Sequence, residues 1–191
     1  IENLKIHGFE KIILSVNYLA EQIEQHFEDG SKFGVGITYV RETKRMGTAG
    51  SLSLMKHYLS EPFVVMNGDL LTDLNFRQLR DSHLLSKAQA TMVVRNHSME
   101  VPFGVVSLSD TDVVGILEKP TQDFCVNAGI YMLNPTCLEL LPSEDYYDMP
   151  MLINELLRQK ARVSSFPIRE YWLDIGRVED FEKAQKSPLV G

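Results

Sequence analysis

The sequence predicts an α/β domain with a mixed, mostly parallel central sheet, and three observations carry that prediction. Strand-like and helix-like segments alternate through the first half, the pattern of a parallel sheet with helices on both faces. The runs at 11–16 (KIILSV) and 63–66 (FVVM) are continuously apolar, as in strands covered on both faces. Several short strands follow one another in the second half, including a hairpin pattern, so the pairing there is expected to be mixed. With 191 residues and 44% hydrophobic content, one good core can be buried, and residues 1–191 read as a single domain.

The elements follow in order. Ile1, Leu4 and Ile6 before Gly8 look like the last turns of a helix with a glycine cap. A domain seldom starts inside a helix, so residues are expected upstream of Ile1. The strand at 11–16 leads to a helix over 19–28, with Ile23 and Phe27 on one face, which Asp29-Gly30-Ser31 breaks. A strand at 35–41, a helix over 48–59 and the strand at 63–66 complete the first half. A helix at 76–85 and strands at 90–95, 103–108, 113–117 and 127–133 come next, with Asp110 and Asp112 in a turn. An amphipathic helix at 150–160 carries Leu152, Ile153, Leu156 and Leu157. Short strands at 163–167 and 171–173 and a helix at 178–186 close the chain.

Charge and composition exclude several functions. A formal charge of −7 argues against a nucleic-acid or anionic-membrane binder, each of which needs a basic stripe. No apolar run is long enough to span a bilayer. Cys125 and Cys137 have no metal-ligand spacing and read as two reduced, buried thiols of a cytoplasmic protein. The histidines at 7, 26, 57, 83 and 97 have no ligand spacing and receive no role.

Ligands of open α/β sheets bind beyond the carboxyl ends of the strands, which singles out residues that directly follow strands. Asn67-Gly68-Asp69 follows 63–66, and an acid there can hold Mg²⁺, which commonly takes one or two carboxylates plus substrate phosphates. The same tripeptide also makes a good turn. Asp174 stands similarly after Tyr171-Trp172-Leu173, where a capping or turn role is the alternative. Glu118-Lys119-Pro120 ends the strand at 113–117. Proline is expected to hold Lys119 extended, projecting a cation for phosphate and an acceptor for sugar hydroxyls, or simply closing a surface strand. Arg45-Met46-Gly47-Thr48-Ala49-Gly50-Ser51 joins a small-residue loop to a helix start. Small residues permit close backbone approach and a helix start offers free N–H groups, although tight helix–sheet packing would select the same residues.

In order and approximate spacing, these pieces resemble the nucleotidyl transferase family that makes nucleotide sugars. The motifs are Gly47-Thr48-Ala49-Gly50, Asn67-Gly68-Asp69, Phe103-Gly104-Val105, Glu118-Lys119-Pro120, Asn127-Ala128-Gly129-Ile130-Tyr131 and Trp172-Leu173-Asp174-Ile175-Gly176. The resemblance covers essentially the whole chain and implies a Rossmann-like three-layer nucleotidyltransferase domain. It implies transfer of a nucleoside monophosphate from an NTP to a sugar 1-phosphate, with pyrophosphate leaving. Gly47, Thr48, Ala49 and Gly50 would line the base and ribose. Asp69 and Asp174 would hold Mg²⁺, and Lys119 would neutralise the sugar phosphate. Gly104, Glu118 and Asn127 would contact the sugar.

Gly47-Thr48-Ala49-Gly50 followed by Ser51-Leu52 looks more like guanylyltransferases than uridylyltransferases, which favours GTP. The wording around Pro167–Trp172 resembles bacterial members fused to CBS domains, so the expected partners extend to upstream CBS regulatory domains and a homo-oligomer. Family members begin with a strand and a glycine-rich, arginine-bearing loop that grips the triphosphate. That segment does not occur in the 191 residues, so this polypeptide by itself is expected to be inactive or nearly so. Two other readings compete: a non-catalytic relative that senses a nucleotide sugar, and a glycosyltransferase of related fold, although the latter usually shows Asp-x-Asp after a strand.

Overall fold

The computed structural model describes residues 1–176. The expected helix at 178–186 lies outside them. Helix α1 (Glu2–Ile6) precedes strand β1 (Lys11–Val16), α2 (Ala20–Phe27) and β2 (Gly36–Arg41). Then come α3 (Gly47–Gly50), a 3₁₀ segment (Ser51–Met55), β3 (Phe63–Met66), β4 (Leu70–Thr72) and α4 (Phe76–Ser86). Strands β5 (Ala90–Glu100), β6 (Val105–Ser109), β7 (Asp112–Leu117) and β8 (Thr121–Leu133) follow. A 3₁₀ segment (Pro135–Leu140), α5 (Met149–Arg158), β9 (Val163–Ile168) and β10 (Trp172–Asp174) complete the order.

The central sheet has the order β3-β8-β5-β9. Strand β8 runs antiparallel to both β3 and β5, while β9 is parallel to β5. Three of the four strands therefore point the same way, and β8 alone opposes them. Strands β1 and β2 form a separate parallel pair, so β1 and β3 each keep one edge without a ladder partner among the described residues. Successive residues of β8 serve opposite faces, as the strand period of two requires. Tyr131 and Leu133 join Ala49, Leu52, Leu152 and Leu156 in one core. Ile130 and Met132 join Leu74, Phe76, Leu79 and Val93 in the other. Ile13 and Val40 pack on the first core and Leu4 and Phe9 on the second, giving the three expected layers.

Several elements differ from the sequence reading. The helix expected over 48–59 is one α turn followed by 3₁₀ geometry that ends at Met55. Ser53 Oγ donates to Gly50 O at 2.7 Å, the local side-chain competition that weakens α geometry. Strand β4, absent from the sequence reading, has only three residues and so shows no period. Strands β5 and β8 run on as a paired ladder through Glu100↔Thr121, well past the expected strand ends. Their outer residues, such as Asn96–Glu100 and Thr121–Cys125, are exposed on both faces. This polar arm carries the hairpin β6–β7, where Phe103, Leu108, Val113, Val114, Ile116 and Leu117 are all exposed.

Cys125 lies on the arm and is exposed, contrary to the expectation of two buried thiols, while Cys137 is buried. The bend that lets β8 begin puts Lys119 at φ +44° rather than in the extended geometry expected before proline. Reversal from β7 to β8 has to be made within Glu118-Lys119-Pro120, and the Val101 N–H bond to Pro120 O fixes its end. His83 is buried and structural. Asn134 Nδ2 donates to Ala88 O, so Asn134 Oδ1 must accept from His83 Nε2–H, leaving His83 Nδ1 to accept from Thr91. No helix of the described residues is long and apolar enough to cross a membrane.

Candidate active site

An open cleft of about 300 Å³ lies at the end of the central sheet, lined in part by Thr48, Asn67, Asn127, Tyr131, Asp148, Trp172 and Asp174. Each side chain reaches it for a local reason. Strand β8 carries a bulge: Met92 faces Tyr131 but Val94 faces Asn127, so Val93 alone stands against Ala128, Gly129 and Ile130. Gly129 absorbs the bulge at φ +71°, and a Cβ there would stand 3.0 Å from both Asn67 Nδ2 and Leu70 Cδ1. The bulge re-aims the strand, as bulges beside sites do. It leaves Asn127 Oδ1 accepting from Gly129 N–H at 2.9 Å and Asn127 Nδ2 donating to the Tyr131 hydroxyl. Burial pushes the Tyr131 hydroxyl pKa up, with the Asn127 bond opposing.

The two predicted metal acids meet through strand pairing. In the antiparallel register of β4 and β10, Asp174 lies opposite Leu70, the residue after Asp69. Ile175 N–H donates to Asp69 O at 2.9 Å. A Cβ on Gly176 would stand 3.0 Å from Asp174 Oδ1 and 3.6 Å from Asp69 Oδ2. Both carboxylates thus border one small space that glycine leaves open. Asp174 Oδ1 also accepts from Gly176 N–H at 2.9 Å, so the turn role and the site role coexist. No group of three or more His, Cys, Asp or Glu residues gathers among the described residues. A pair of acids with room beside it is what Mg²⁺ requires when phosphate oxygens complete its shell.

Trp172 forms the wall behind Asp174. Its indole N–H donates to Ala128 O at 2.8 Å, and Arg95 stacks 5.0 Å from its ring centroid while bonding its carbonyl. Cation–π stacking of this kind fixes the ring plane.

The loop at Gly47–Gly50 is built differently from the expectation of free helix-start donors. Thr48 N–H donates to Asp148 Oδ1 at 2.9 Å, and the Ala49 and Gly50 amides both donate to Tyr147 O. A Cβ on Gly47, at φ +75°, would stand 2.7 Å from Asp148 Oδ1, and one on Gly50 would stand 2.4 Å from Asp145 O. The close approach that these glycines permit is therefore taken up by the chain's own residues 145–148. Of the loop, Thr48 borders the cleft, while Ala49 and Gly50 are buried.

Gly104, Glu118 and Lys119 do not line the cleft. They lie on the arm, where a Cβ on Gly104 would stand 3.1 Å from Glu118 Oε2. Sequence reasoning therefore found Thr48, Asn127 and Asp174 at the cleft and Asp69 beside it. It missed the roles of Asn67, Tyr131 and Trp172, although they stand within quoted motifs, and it missed Asp148 altogether. An aspartate just before Met149-Pro150 at the start of an amphipathic run is a helix-cap signal that would have found it. Asp148 is indeed the N-cap of α5. The Tyr146 hydroxyl and the Thr48 amide both donate to its carboxylate and hold its pKa below the usual range.

A mixed α/β sheet with a polar cleft at its strand ends and paired acids beside it defines a Rossmann-like α/β domain. The chain belongs to the nucleotidyl transferase family, whose model matches residues 1–189. It is 33% identical over 189 residues to mannose-1-phosphate guanylyltransferase catalytic subunit beta of Drosophila melanogaster, covering 95% of this chain and 51% of that protein. It is 32% identical over 213 residues to UTP–glucose-1-phosphate uridylyltransferase of Synechocystis, covering 99% and 54%. The chain thus spans about half the length of these curated relatives. The crystal structure of HddC from Yersinia pseudotuberculosis complexed with GMP-PN superposes with a TM-score of 0.74 at 25% identity, covering 97% of this chain and 81% of that one.

Proposed function

We propose that this chain is the nucleotide- and sugar-binding part of a cytoplasmic sugar-1-phosphate nucleotidyltransferase that uses GTP. Convergence of Asp69 and Asp174 on the space beside Gly176 carries the reading. These two acids would hold Mg²⁺, which would supply charge neutralisation at the reacting phosphates. A sugar phosphate is already an anionic nucleophile, so its oxygen can attack the α-phosphorus in line, forming the new P–O bond as pyrophosphate leaves. Positioning and charge compensation then supply most of the rate. Lys119 meets the sugar phosphate from the arm. Glu118, Gly104 and Asn127 meet the sugar, and the Gly47–Gly50 loop meets the base and ribose.

Arg41 and Lys44 are not assigned to the triphosphate, because each already faces an acid of this chain. Arg41 is forked onto Glu24 at 2.8 and 2.7 Å, and Lys44 pairs with Asp145. The guanine choice draws on the Drosophila guanylyltransferase and on the HddC complex with GMP-PN, and the Synechocystis uridylyltransferase marks its competitor.

The test is pyrophosphate release by the full natural protein with each NTP and a panel of sugar 1-phosphates. GTP is expected to turn over fastest, and Asp69→Asn and Asp174→Asn should each reduce kcat by about 100-fold or more with folding intact. Faster turnover of UTP than of GTP removes the guanine assignment. Near-normal activity of either variant at saturating Mg²⁺ removes the metal pair.

A further inference from the structure

The three consecutive amides of Thr48, Ala49 and Gly50 are all spent within the protein. They donate to Asp148 Oδ1 at 2.9 Å and to Tyr147 O at 2.9 and 2.8 Å. In return, Tyr147 N–H donates to Met46 O at 2.9 Å and Met149 N–H to Thr48 Oγ1 at 2.9 Å. The Thr48 hydroxyl, having accepted from Met149, gives its own proton to Asp148 Oδ1 at 3.2 Å. The other carboxylate oxygen, Oδ2, accepts from the Tyr146 hydroxyl at 2.5 Å. Residues 145–148 thus form a clasp that closes on the loop from a point 100 residues further along the chain.

The two segments have no latitude relative to each other. Gly47 and Gly50 lack the room for even a methyl group against the clasp, so neither can shift without breaking several bonds together. Thr48 and Asp148 both line the cleft, so the wall that a nucleotide would meet there has its shape set by the clasp. Of the two acids in the clasp, Asp145 turns to Lys44 at 3.9 Å, whereas the Asp148 carboxylate accepts from Thr48 and Tyr146.

We propose that Asp148 is a positioning residue for nucleotide selection, acting through Thr48 to hold the Gly47–Gly50 loop in its binding shape. This rests on the reading of the cleft as a nucleotide site. Asp148→Ala deletes both acceptors. In the full natural protein it should raise KM for the NTP at least ten-fold, leaving kcat and KM for the sugar 1-phosphate within about two-fold of the parent. Asp148→Asn keeps an oxygen for Thr48 and should restore KM to within about three-fold. Thr48→Val cuts the hydroxyl half of this link and leaves the amide half, so it should raise the same KM by less, and the double variant should be no worse than Asp148→Ala.

A readout independent of catalysis is hydrogen exchange at the Thr48, Ala49 and Gly50 amides. It should accelerate at least ten-fold in Asp148→Ala and stay near the parent rate in Asp148→Asn. Equal damage from the alanine and asparagine variants would place the charge itself on substrate and overturn the positioning role. Unchanged NTP KM in Asp148→Ala, or changes spread equally over both substrates and kcat, would do the same. Should Asp148→Ala not fold, Asp148→Asn and Thr48→Val decide the matter by the same KM split. A parent protein that neither binds nor turns over any NTP defeats the nucleotide reading itself, whereas a binding parent with an indifferent clasp defeats this proposal alone.

Discussion

Lys119 sits at φ +44° immediately before Pro120, a left-handed conformation that costs a non-glycine residue about 1–2 kcal/mol. Glycine would relieve that cost and surrender roughly 0.5–1 kcal/mol of backbone entropy. Lys119→Gly is therefore expected to leave stability unchanged or raise it by about 1 kcal/mol, which amounts to a Tm rise of about 2–4 °C in a domain of this size. The same change removes the cation proposed for the sugar phosphate and should cost activity by about 100-fold or more. Lys119→Ala separates the two effects: activity should fall without a gain in Tm. A drop in Tm for the glycine variant would show that the bend is not strained. Nothing in Glu118-Lys119-Pro120 as a string announces this conformation, since it arises from the distant Glu100↔Thr121 register that tells the chain where to turn.

At the level of elements, what was legible depended on the continuity of apolar runs. KIILSV and FVVM matched β1 and β3 to the residue because continuous apolar runs have one economical use. The outer halves of β5 and β8 were invisible: Asn96, His97 and Ser98 pair with Cys125, Phe124 and Asp123 in a ladder exposed on both faces, which no apolar pattern records. That same lack of burial makes a prediction. Ladder bonds with no apolar cover open at low cost, so amides at 96–100 and 122–125 should exchange at least 100-fold faster than those at 91–94 and 130–133. Exchange mapped by mass spectrometry will decide it, and uniform protection along β5 would mean that another surface covers the arm. Asn127-Ala128-Gly129 stands out in the sequence as a motif, whereas the bulge it forms does not. Its glycine is required by Asn67 and Leu70 pressing from beside it, a neighbour relation that sequence order hides.

For the molecule as a whole, the class of fold was readable, and so was the meeting of Thr48, Asn127 and Asp174 at one cleft, because the motifs follow strand ends, and strand ends converge. The pairing of Asp69 with Asp174 needed the β4–β10 ladder, which joins Leu70–Thr72 to Trp172–Asp174 across most of the chain and so has no local signature. The clasp on Gly47–Gly50 was hidden for the same reason, and the loop glycines admit both a ligand and a packed backbone. The division between arm and body is a further property that no segment carries alone: Lys119 and Glu118 belong to one part, and Thr48, Asn127 and Asp174 to the other.

Cys125 gives that division a practical handle. The two thiols differ sharply, for Cys125 is exposed on the arm while Cys137 is buried, donates to Gln89 O and has its pKa pushed up to about 11 by burial. Since the thiolate is the reactive form, a maleimide at pH 7.5 should modify Cys125 in the native protein and reach Cys137 only after unfolding. Peptide mapping that finds Cys137 labelled in native protein would contradict this. A single fluorophore on Cys125, with a partner dye on the body, would turn the arm into a pointer. Its distance from the cleft could then be followed optically as each substrate is added.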